Sequence, residues 1–287
     1  MRSVWEPLGL PGLVDLHVHF MPQNVLDKVW AYFDGAEPMV GAPWPIVYRS
    51  DEADRLARLR AMGVLAFPSL LYPHKPAMAQ WLNDWADDFA AAHPDVVHTA
   101  TFFPEEGAAG YVGRALDAGA RLFKAHVQVG AYDPRDPLLD QVWGQLADAQ
   151  VPVIVHCGSG PRPGPFTGPG PMAEVLGRHP RLVAVIAHMG MPEYADFVAL
   201  ARSYDRVHLD TTMVFTPFTE ALMPFPTALL PALVELQDRV VLGSDFPNTP
   251  YPYVEQLDAL AGLGLGEDWL RAVLHDNGAR LLDLETP

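Results

Sequence analysis

Five residues in this chain have side chains that bind metal ions well, and each stands at the end of an apolar, strand-like run. His17 and His19 lie in LVDLHVHF, His156 ends VPVIVH, His188 ends LVAVIAH and Asp245 ends VVLGSD. An isolated HxH pair is more often a packed or exposed pair than a metal site, so the argument depends on finding all five in the same context. Imidazole nitrogen and carboxylate oxygen are suitable ligands for zinc and similar divalent ions. The pattern therefore predicts a metal site.

The sequence also predicts the strands that must position these side chains. Side chains at positions i and i+2 of a strand point to one face, so His17 and His19 are expected to project together, with Leu16 and Val18 pointing the other way. Strand-like runs alternate with helical patterns, which is typical of repeated βα units around a parallel sheet. Eight runs are predicted as strands: residues 12–17, 64–71, 96–103, 122–127, 153–157, 182–187, 207–210 and 240–243.

Eight such units close most simply into a (β/α)8 TIM barrel, an α/β fold, with an insertion after the first strand. The structural alternative is an open doubly wound sheet, but no GxGxxG motif follows the first predicted strand. At 287 residues, with 49% hydrophobic and 19% charged residues, the chain is predicted to form one domain over 1–287.

Charge and cysteine content limit the partners. The net charge of −16 argues against nucleic acid and anionic membranes, because both require basic surfaces. A single cysteine, Cys157, excludes an intrachain disulfide and fits a reducing compartment. No signal-peptide pattern and no bilayer-length apolar run is evident. We therefore expect a cytoplasmic protein that acts on a small molecule, with a homodimer possible through apolar loops.

Long segments that are predicted to be irregular follow three of the predicted strands, where barrels carry their ligands. They cover 21–48, interpreted as an insertion or lid, 158–171 and 211–228, and they are rich in aromatic residues: Trp30, Tyr32, Phe33, Trp44, Phe166, Phe215, Phe218 and Phe225. Such loops indicate an apolar or aromatic substrate, or equally a covered barrel edge or subunit interface. Within these segments Arg162 and Phe166 are predicted to contact the substrate. Arg49, just after 21–48, is a second candidate for a substrate carboxylate.

The order of these residues resembles a known family. HxH on the first strand, Lys124 on the fourth, His156 on the fifth, His188 on the sixth and Asp245 on the eighth match the amidohydrolase superfamily. The segments AHMGMPEYADFVALARSYDRVHLDTT, LGSDFP and DNGARLLDL resemble the amidohydrolase-related branch that includes aminocarboxymuconate-semialdehyde decarboxylase and related hydrolases.

The resemblance implies one divalent metal, expected to be zinc, bound by His17, His19, His156 and Asp245. His188 would then lie beside the metal-bound water and transfer protons or stabilise charge.

Two further predicted strands carry polar residues whose roles are open. Lys124 and His126 share one face of the fourth strand. By the same resemblance, a carboxylated Lys124 could bridge two metals; the alternative is a plain ammonium group paired with a carboxylate. His126 could contact the substrate or be a satisfied barrel histidine. Asp210 on the seventh strand could orient His188, contact the substrate or make a structural hydrogen bond.

A bound divalent ion lowers the pKa of water from 15.7 towards about 7, and Asp245 could take the proton from that water. The leading functional prediction is a metal-dependent hydrolase of a small carbonyl compound such as a lactone, amide or cyclic ester. The first alternative is a metal-dependent decarboxylase of an aromatic or muconate-like acid. The second alternative is a non-catalytic barrel that binds a metal or small molecule.

Overall fold

The computed structural model describes residues 1–284, and its centre is a barrel of parallel strands. Within these residues the strands are β1 (Leu13–Val14), β2 (Val64–Pro68), β3 (Val96–Val97), β4 (Thr99–Thr101), β5 (Leu122–His126), β6 (Val153–His156), β7 (Ala184–Ile186), β8 (Val207–Asp210) and β9 (Val240–Val241). Only one residue separates β3 from β4, so together they fill the third barrel position. β3 pairs with β2 and β4 pairs with β5.

The barrel closes between its first and last strands. All ladders are parallel and run in the orders β1-β2-β3 and β4 to β9. Leu16 N–H donates to the Leu242 carbonyl at 2.9 Å, and a parallel bridge joins Val18 to Phe246. These contacts close eight strand positions into a ring, so the predicted (β/α)8 barrel is confirmed.

Helices surround the barrel. They are α1 (Arg2–Trp5), α2 (Gln23–Asp34), α3 (Glu37–Val40), α4 (Glu52–Met62), α5 (Ala79–Ala92), α6 (Ala108–Asp117), α7 (Val127–Gly130), α8 (Pro137–Ala149), α9 (Pro169–Arg178), α10 (Tyr194–Ser203), α11 (Pro217–Leu222), α12 (Leu230–Glu235), α13 (Tyr253–Gly262), α14 (Glu267–Arg271) and α15 (Asn277–Leu281). α4 shows why they form where they do: Asp51 caps its first turn by accepting from Asp54 N–H at 2.8 Å, and Gly63 ends it in a left-handed conformation.

The core has two layers. Inside the barrel, side chains such as Leu122, Ile154 and Val185 form one buried cluster. Between the strands and the helices, Phe102 packs edge to face on Trp143, which is fully buried, in a much larger cluster. Burial of these side chains supplies most of the stabilising free energy of the fold, at about 25 cal/mol for each Å² of apolar surface removed from water. The polar site lies above this core.

The first strand differs from the prediction in length and in the direction of one side chain. Regular pairing covers only β1, and Leu16 packs inside the barrel beside Val14, not outside it. The cause is a local turn, because the Asp15 carboxylate accepts a hydrogen bond from His17 N–H at 3.0 Å. The turn breaks the alternation once, so that Leu16 and His17 both face the interior.

The 21–48 segment is an ordered insertion, not the irregular stretch that was expected. It contains α2 and α3, and two indole N–H groups attach it to the loop after β9. Trp30 donates to the Asn248 side-chain oxygen at 3.1 Å, and Trp44 donates to the Asn248 carbonyl at 2.6 Å. The insertion therefore has a fixed position over one side of the barrel mouth.

Among the described residues, no helix has the length and apolar character needed to cross a lipid bilayer.

Candidate metal centre

Polar side chains gather at the carboxyl ends of the barrel strands. His17 and His19 follow β1, His156 ends β6, His188 follows β7 and Asp245 follows β9. All five are buried, each less than a tenth exposed. Parallel strands end at the same face of a barrel, which is why residues far apart in the sequence meet there.

Asp245 is the meeting point of this cluster. Its Oδ1 lies 3.0 Å from His19 Nε2 and 3.5 Å from His17 Nε2. Ligand atoms of His17, His188 and Asp245 all lie within 4.8 Å of one another. A divalent cation needs several such atoms around one point, so the cluster has the composition and spacing of a metal centre.

In three of the imidazoles, a hydrogen-bond partner on Nδ1, the ring nitrogen that points away from the cluster, fixes the orientation of the ring. Nδ1 of His17 faces an Asp210 oxygen at 2.8 Å, Nδ1 of His19 faces the Leu70 carbonyl at 2.9 Å, and Nδ1 of His188 faces the Thr212 carbonyl at 3.0 Å. For His17 and His188, Nδ1 therefore carries the proton and Nε2 presents a lone pair, whereas His19 Nε2 faces the Asp245 carboxylate. Metal-binding histidines in proteins are held in this way.

His156 is oriented differently. Its Nε2 donates to the Gly160 carbonyl at 3.0 Å, so the lone pair is on Nδ1. Its ring lies 4.8 Å from that of His188, centroid to centroid. The sequence placed His156 among the ligands and His188 beside them, whereas the closest cluster of ligand atoms in the structure contains His188 and not His156.

The protonation states suit a cation. Burial lowers the pKa values of His17, His156 and His188, so these imidazoles are neutral near pH 7. Burial alone would raise the pKa of Asp245, but the hydrogen bond from His19 and the neighbouring imidazoles hold it at about 2. Neutral imidazoles and a carboxylate are the forms that ligate metals, so His17, His156, His188 and Asp245 have the protonation states that a divalent cation requires.

Two site residues have strained backbones. His188 has a φ of +53° and Asp245 a φ of +70°, values that cost a residue with a side chain about 1–3 kcal/mol. Hydrogen bonds oppose the strain: Asp210 Oδ1 accepts from His188 N–H at 2.7 Å, and the His17 carbonyl accepts from Asp245 N–H at 2.8 Å. The fold thus holds both side chains toward the cluster.

Lys124 and His126 lie on β5 beside this cluster. Lys124 is fully buried, its Nζ is 3.3 Å from His17 Nε2, and burial lowers its pKa to about 8. Within residues 1–284 no carboxylate lies within ion-pair distance of it. His126 stacks on His156 with ring centroids 4.0 Å apart, and its Nδ1 accepts from Val129 N–H at 3.3 Å. The His126 proton is therefore on Nε2.

A cavity of about 670 Å³ opens above these residues. Of the aromatic residues singled out in the sequence, Tyr32, Phe33, Trp44 and Phe218 line it. Tyr72 is not among the residues predicted from the sequence, yet it lines the cavity, with its ring 5.6 Å from that of His19 and 4.8 Å from that of His126. Tyr72 follows the second predicted strand, and this position was the only signal for it.

Two predicted substrate contacts lie elsewhere. Phe166 is absent from the described cavity wall and packs, half-buried, against the core outside the barrel. Arg49 is absent from that wall too, because its guanidinium pairs with Asp34 at 2.6 Å and lies over the Trp30 ring. Arg162 does line the cavity, at its exposed edge.

Comparison with protein families identifies the class. The family model described as Amidohydrolase matches residues 14–284. The chain belongs to the amidohydrolase family and is an enzyme with a divalent-metal site. No curated protein matches the sequence.

Several solved structures share the fold. An uncharacterized TIM-barrel protein of Bordetella bronchiseptica is 19% identical with a TM-score of 0.76, covering 95% of this chain and 98% of that one. 2,6-Dihydroxybenzoate decarboxylase of Rhizobium is 20% identical with a TM-score of 0.68, covering 96% and 100%. 5-Carboxyvanillate decarboxylase of Novosphingobium aromaticivorans, solved with manganese and 4-hydroxy-3-methoxy-5-nitrobenzoic acid, is 14% identical with a TM-score of 0.65, covering 95% and 96%. At these identities the likeness shows the fold alone.

Proposed function

We propose that the protein is a metal-dependent, non-oxidative decarboxylase of an aromatic carboxylic acid. The observation that carries the proposal is the aromatic, largely apolar wall that stands directly over the histidine and aspartate cluster. Such a wall suits a ring whose carboxylate points down to the cluster. The structural likeness to decarboxylases of dihydroxybenzoate and carboxyvanillate supports the same reaction.

This choice reverses the order predicted from the sequence, where hydrolysis of a lactone, amide or cyclic ester came first. The same five residues could serve either reaction, so the catalytic cluster does not distinguish them. Family membership removes the non-catalytic alternative.

We assign the metal ligands as His17, His19, Asp245 and His156, the last through Nδ1, because its Nε2 is used by the Gly160 carbonyl. When bound, the cation would neutralise the substrate oxygens and keep the ring oriented. Zinc was the expectation, but the carboxyvanillate decarboxylase structure contains manganese, so both ions enter the tests.

The chain's own residues have separate tasks. His126 Nε2–H and Lys124 Nζ, both beside the cluster, would attract the substrate carboxylate. Asp245, ionised in the free enzyme, would collect a proton and return it to the ring carbon as the bond to carbon dioxide breaks. The reaction balances as one carboxylate and one proton giving one arene C–H bond and one carbon dioxide. His188, neutral and with its lone pair on Nε2, would act as a proton-transfer residue by accepting a hydrogen bond or a proton from the substrate.

The test is incubation of manganese- and zinc-loaded protein with a panel of hydroxybenzoates, lactones and amides in ¹⁸O water. Decarboxylation predicts carbon dioxide release and an arene product without ¹⁸O, and both are abolished in Asp245→Asn but not in the exposed control Asp205→Asn. Incorporation of ¹⁸O into an acid product, with no carbon dioxide, would instead establish hydrolysis.

A further inference from the structure

The distribution of lysine in this chain is uneven in a way the proposed reaction does not explain. The sequence contains three lysines, Lys28, Lys75 and Lys124, in a chain of net charge −16. All three line the cavity above the cluster, and Arg162 joins them. In the described part of the chain, Asp245 is the only carboxylate residue in the cavity wall. A cavity with this lining attracts anions in an otherwise acidic molecule.

The cations lie at two levels. Lys124 is fully buried beside the cluster, whereas Lys28, Lys75 and Arg162 are exposed at the mouth. We call these last three the rim cations. Over residues 1–284, none of them has a carboxylate within 4.0 Å, although many surface arginines are paired, as Arg58 is with Asp54 at 2.7 Å. The rim cations therefore keep their positive charge available for a ligand.

Contacts across the mouth link Arg162 to the helix that carries Lys28. Lys28 and Tyr32 stand one helical turn apart on the face of α2 that lines the cavity. The Tyr32 hydroxyl contacts Met39 Sδ at 3.3 Å, and Arg162 Nη1 approaches the same sulfur at 3.7 Å. Met39 therefore contacts both Arg162 and Tyr32, and Tyr32 is the neighbour of Lys28 on the cavity face of α2.

Much of the remaining cavity wall is apolar. Val29, Phe33, Met78, Trp81 and Met223 are among the residues that line it. A volume of about 670 Å³ is within the range that holds drug-sized ligands of several rings. A single-ring acid bound at the cluster would leave much of the apolar wall and the rim cations without a partner.

We propose that the substrate is an extended aromatic dicarboxylate. One carboxylate lies at the cluster and is lost in the reaction, an apolar spacer fills the middle of the cavity, and the second carboxylate is held by the rim cations. This inference rests on the proposed function for the identity of the first carboxylate. The second carboxylate is retained in the product.

The test measures binding, so that it remains readable whether or not the protein decarboxylates anything. Isothermal titration of manganese-loaded protein would compare naphthalene-2,6-dicarboxylate and biphenyl-4,4′-dicarboxylate with their parent monocarboxylates. At least one dicarboxylate should bind roughly tenfold more tightly than its parent, since three cations take part and each exposed ion pair contributes up to about fivefold. The preference should weaken in high salt.

Two triple variants each remove three positive charges, one at the rim of the cavity and the other, as a control, elsewhere on the surface. Lys28→Gln/Lys75→Gln/Arg162→Gln should abolish the preference while still binding the monocarboxylate, which shows that the cavity is intact. Arg114→Gln/Arg181→Gln/Arg206→Gln, at exposed positions outside the described cavity wall, should keep it. Equal binding of both members of each pair, no binding of any probe, or a preference that survives the rim substitutions would each overturn the proposal.

Discussion

At the scale of single residues, Asp210 connects more of the site than any side chain singled out as a ligand. One of its oxygens faces His17 Nδ1, and the other accepts from the backbone N–H groups of His188 and Thr212. The sequence suggested that Asp210 could orient His188. The structure shows that one Asp210 oxygen holds the backbone of His188 and the other holds the ring of His17. No spacing in the sequence indicates that Asp210 contacts both residues.

Asp210→Asn tests this role. The amide keeps the size of the side chain but cannot accept from His17 Nδ1–H with a full negative charge, so the His17 ring loses its orientation. We expect metal affinity about 10–100-fold weaker, measured by competition with a chromophoric chelator. Asp205→Asn on the exposed surface should bind metal as the parent does, and equal affinity in both variants would contradict the role.

The assignment of His156 and His188 can be separated in the same assay. If His156 is a ligand, His156→Ala should weaken metal binding by more than about 100-fold. His188→Ala should retain the metal and lose turnover. The control is His179→Ala, because this half-buried histidine pairs with Asp140 and is not part of the described cavity wall. The reverse result would make His188 the ligand, as its place in the closest cluster of ligand atoms suggests.

Among the secondary-structure elements, the strands could be predicted from the sequence, but the helices of the insertion could not. Repeated apolar runs identified all eight barrel positions because burial demands them. The interior of 21–48 looked irregular because proline and glycine interrupt it, yet tertiary contacts make it helical over α2 and α3. Its attachment through Trp30 and Trp44 to Asn248 joins residues about 200 positions apart, which local patterns do not encode.

Asn248→Ala should loosen this insertion. The change removes the acceptor of Trp30 Nε1–H and leaves a buried donor without a partner, at a cost of about 1–3 kcal/mol. Hydrogen exchange should become faster across α2, while α8 on the far side of the barrel should be unchanged. Protection of α2 equal to that of the parent would show that the tryptophan contact does not hold the insertion.

At the scale of the whole molecule, the sequence predicted the barrel and the family, and the comparisons confirm both. The predictions of one domain over 1–287, a cytoplasmic location and a homodimer stay predictions. Substrate size was beyond the sequence, because the cavity depends on how loops from several strands pack together. The rim cations could not be predicted from the sequence, because only the folded structure brings Lys28, Lys75 and Arg162 to the mouth of the same cavity.

Metal binding should stabilise the entire fold. A ligand that binds only the folded state adds about 2.7 kcal/mol when present at 100 times its dissociation constant. For a chain of this size, manganese or zinc should therefore raise the melting temperature by roughly 5 °C, and a chelator should reverse the rise. Asp245→Asn should show a much smaller shift. A melting temperature that does not respond to either ion would argue against a specific site.

The most direct test of the central claim is a metal titration of the chelated protein, with bound metal per chain and carbon dioxide release measured on the same samples. The substrate is the hydroxybenzoate or extended dicarboxylate that the parent enzyme converts fastest. For a decarboxylase with one metal site, the rate should rise in proportion to bound metal and reach its maximum at one ion per chain. Full activity without metal, or no carbon dioxide from any of these acids at full occupancy, would contradict the claim, and a maximum at two ions would replace the single site by one bridged through Lys124.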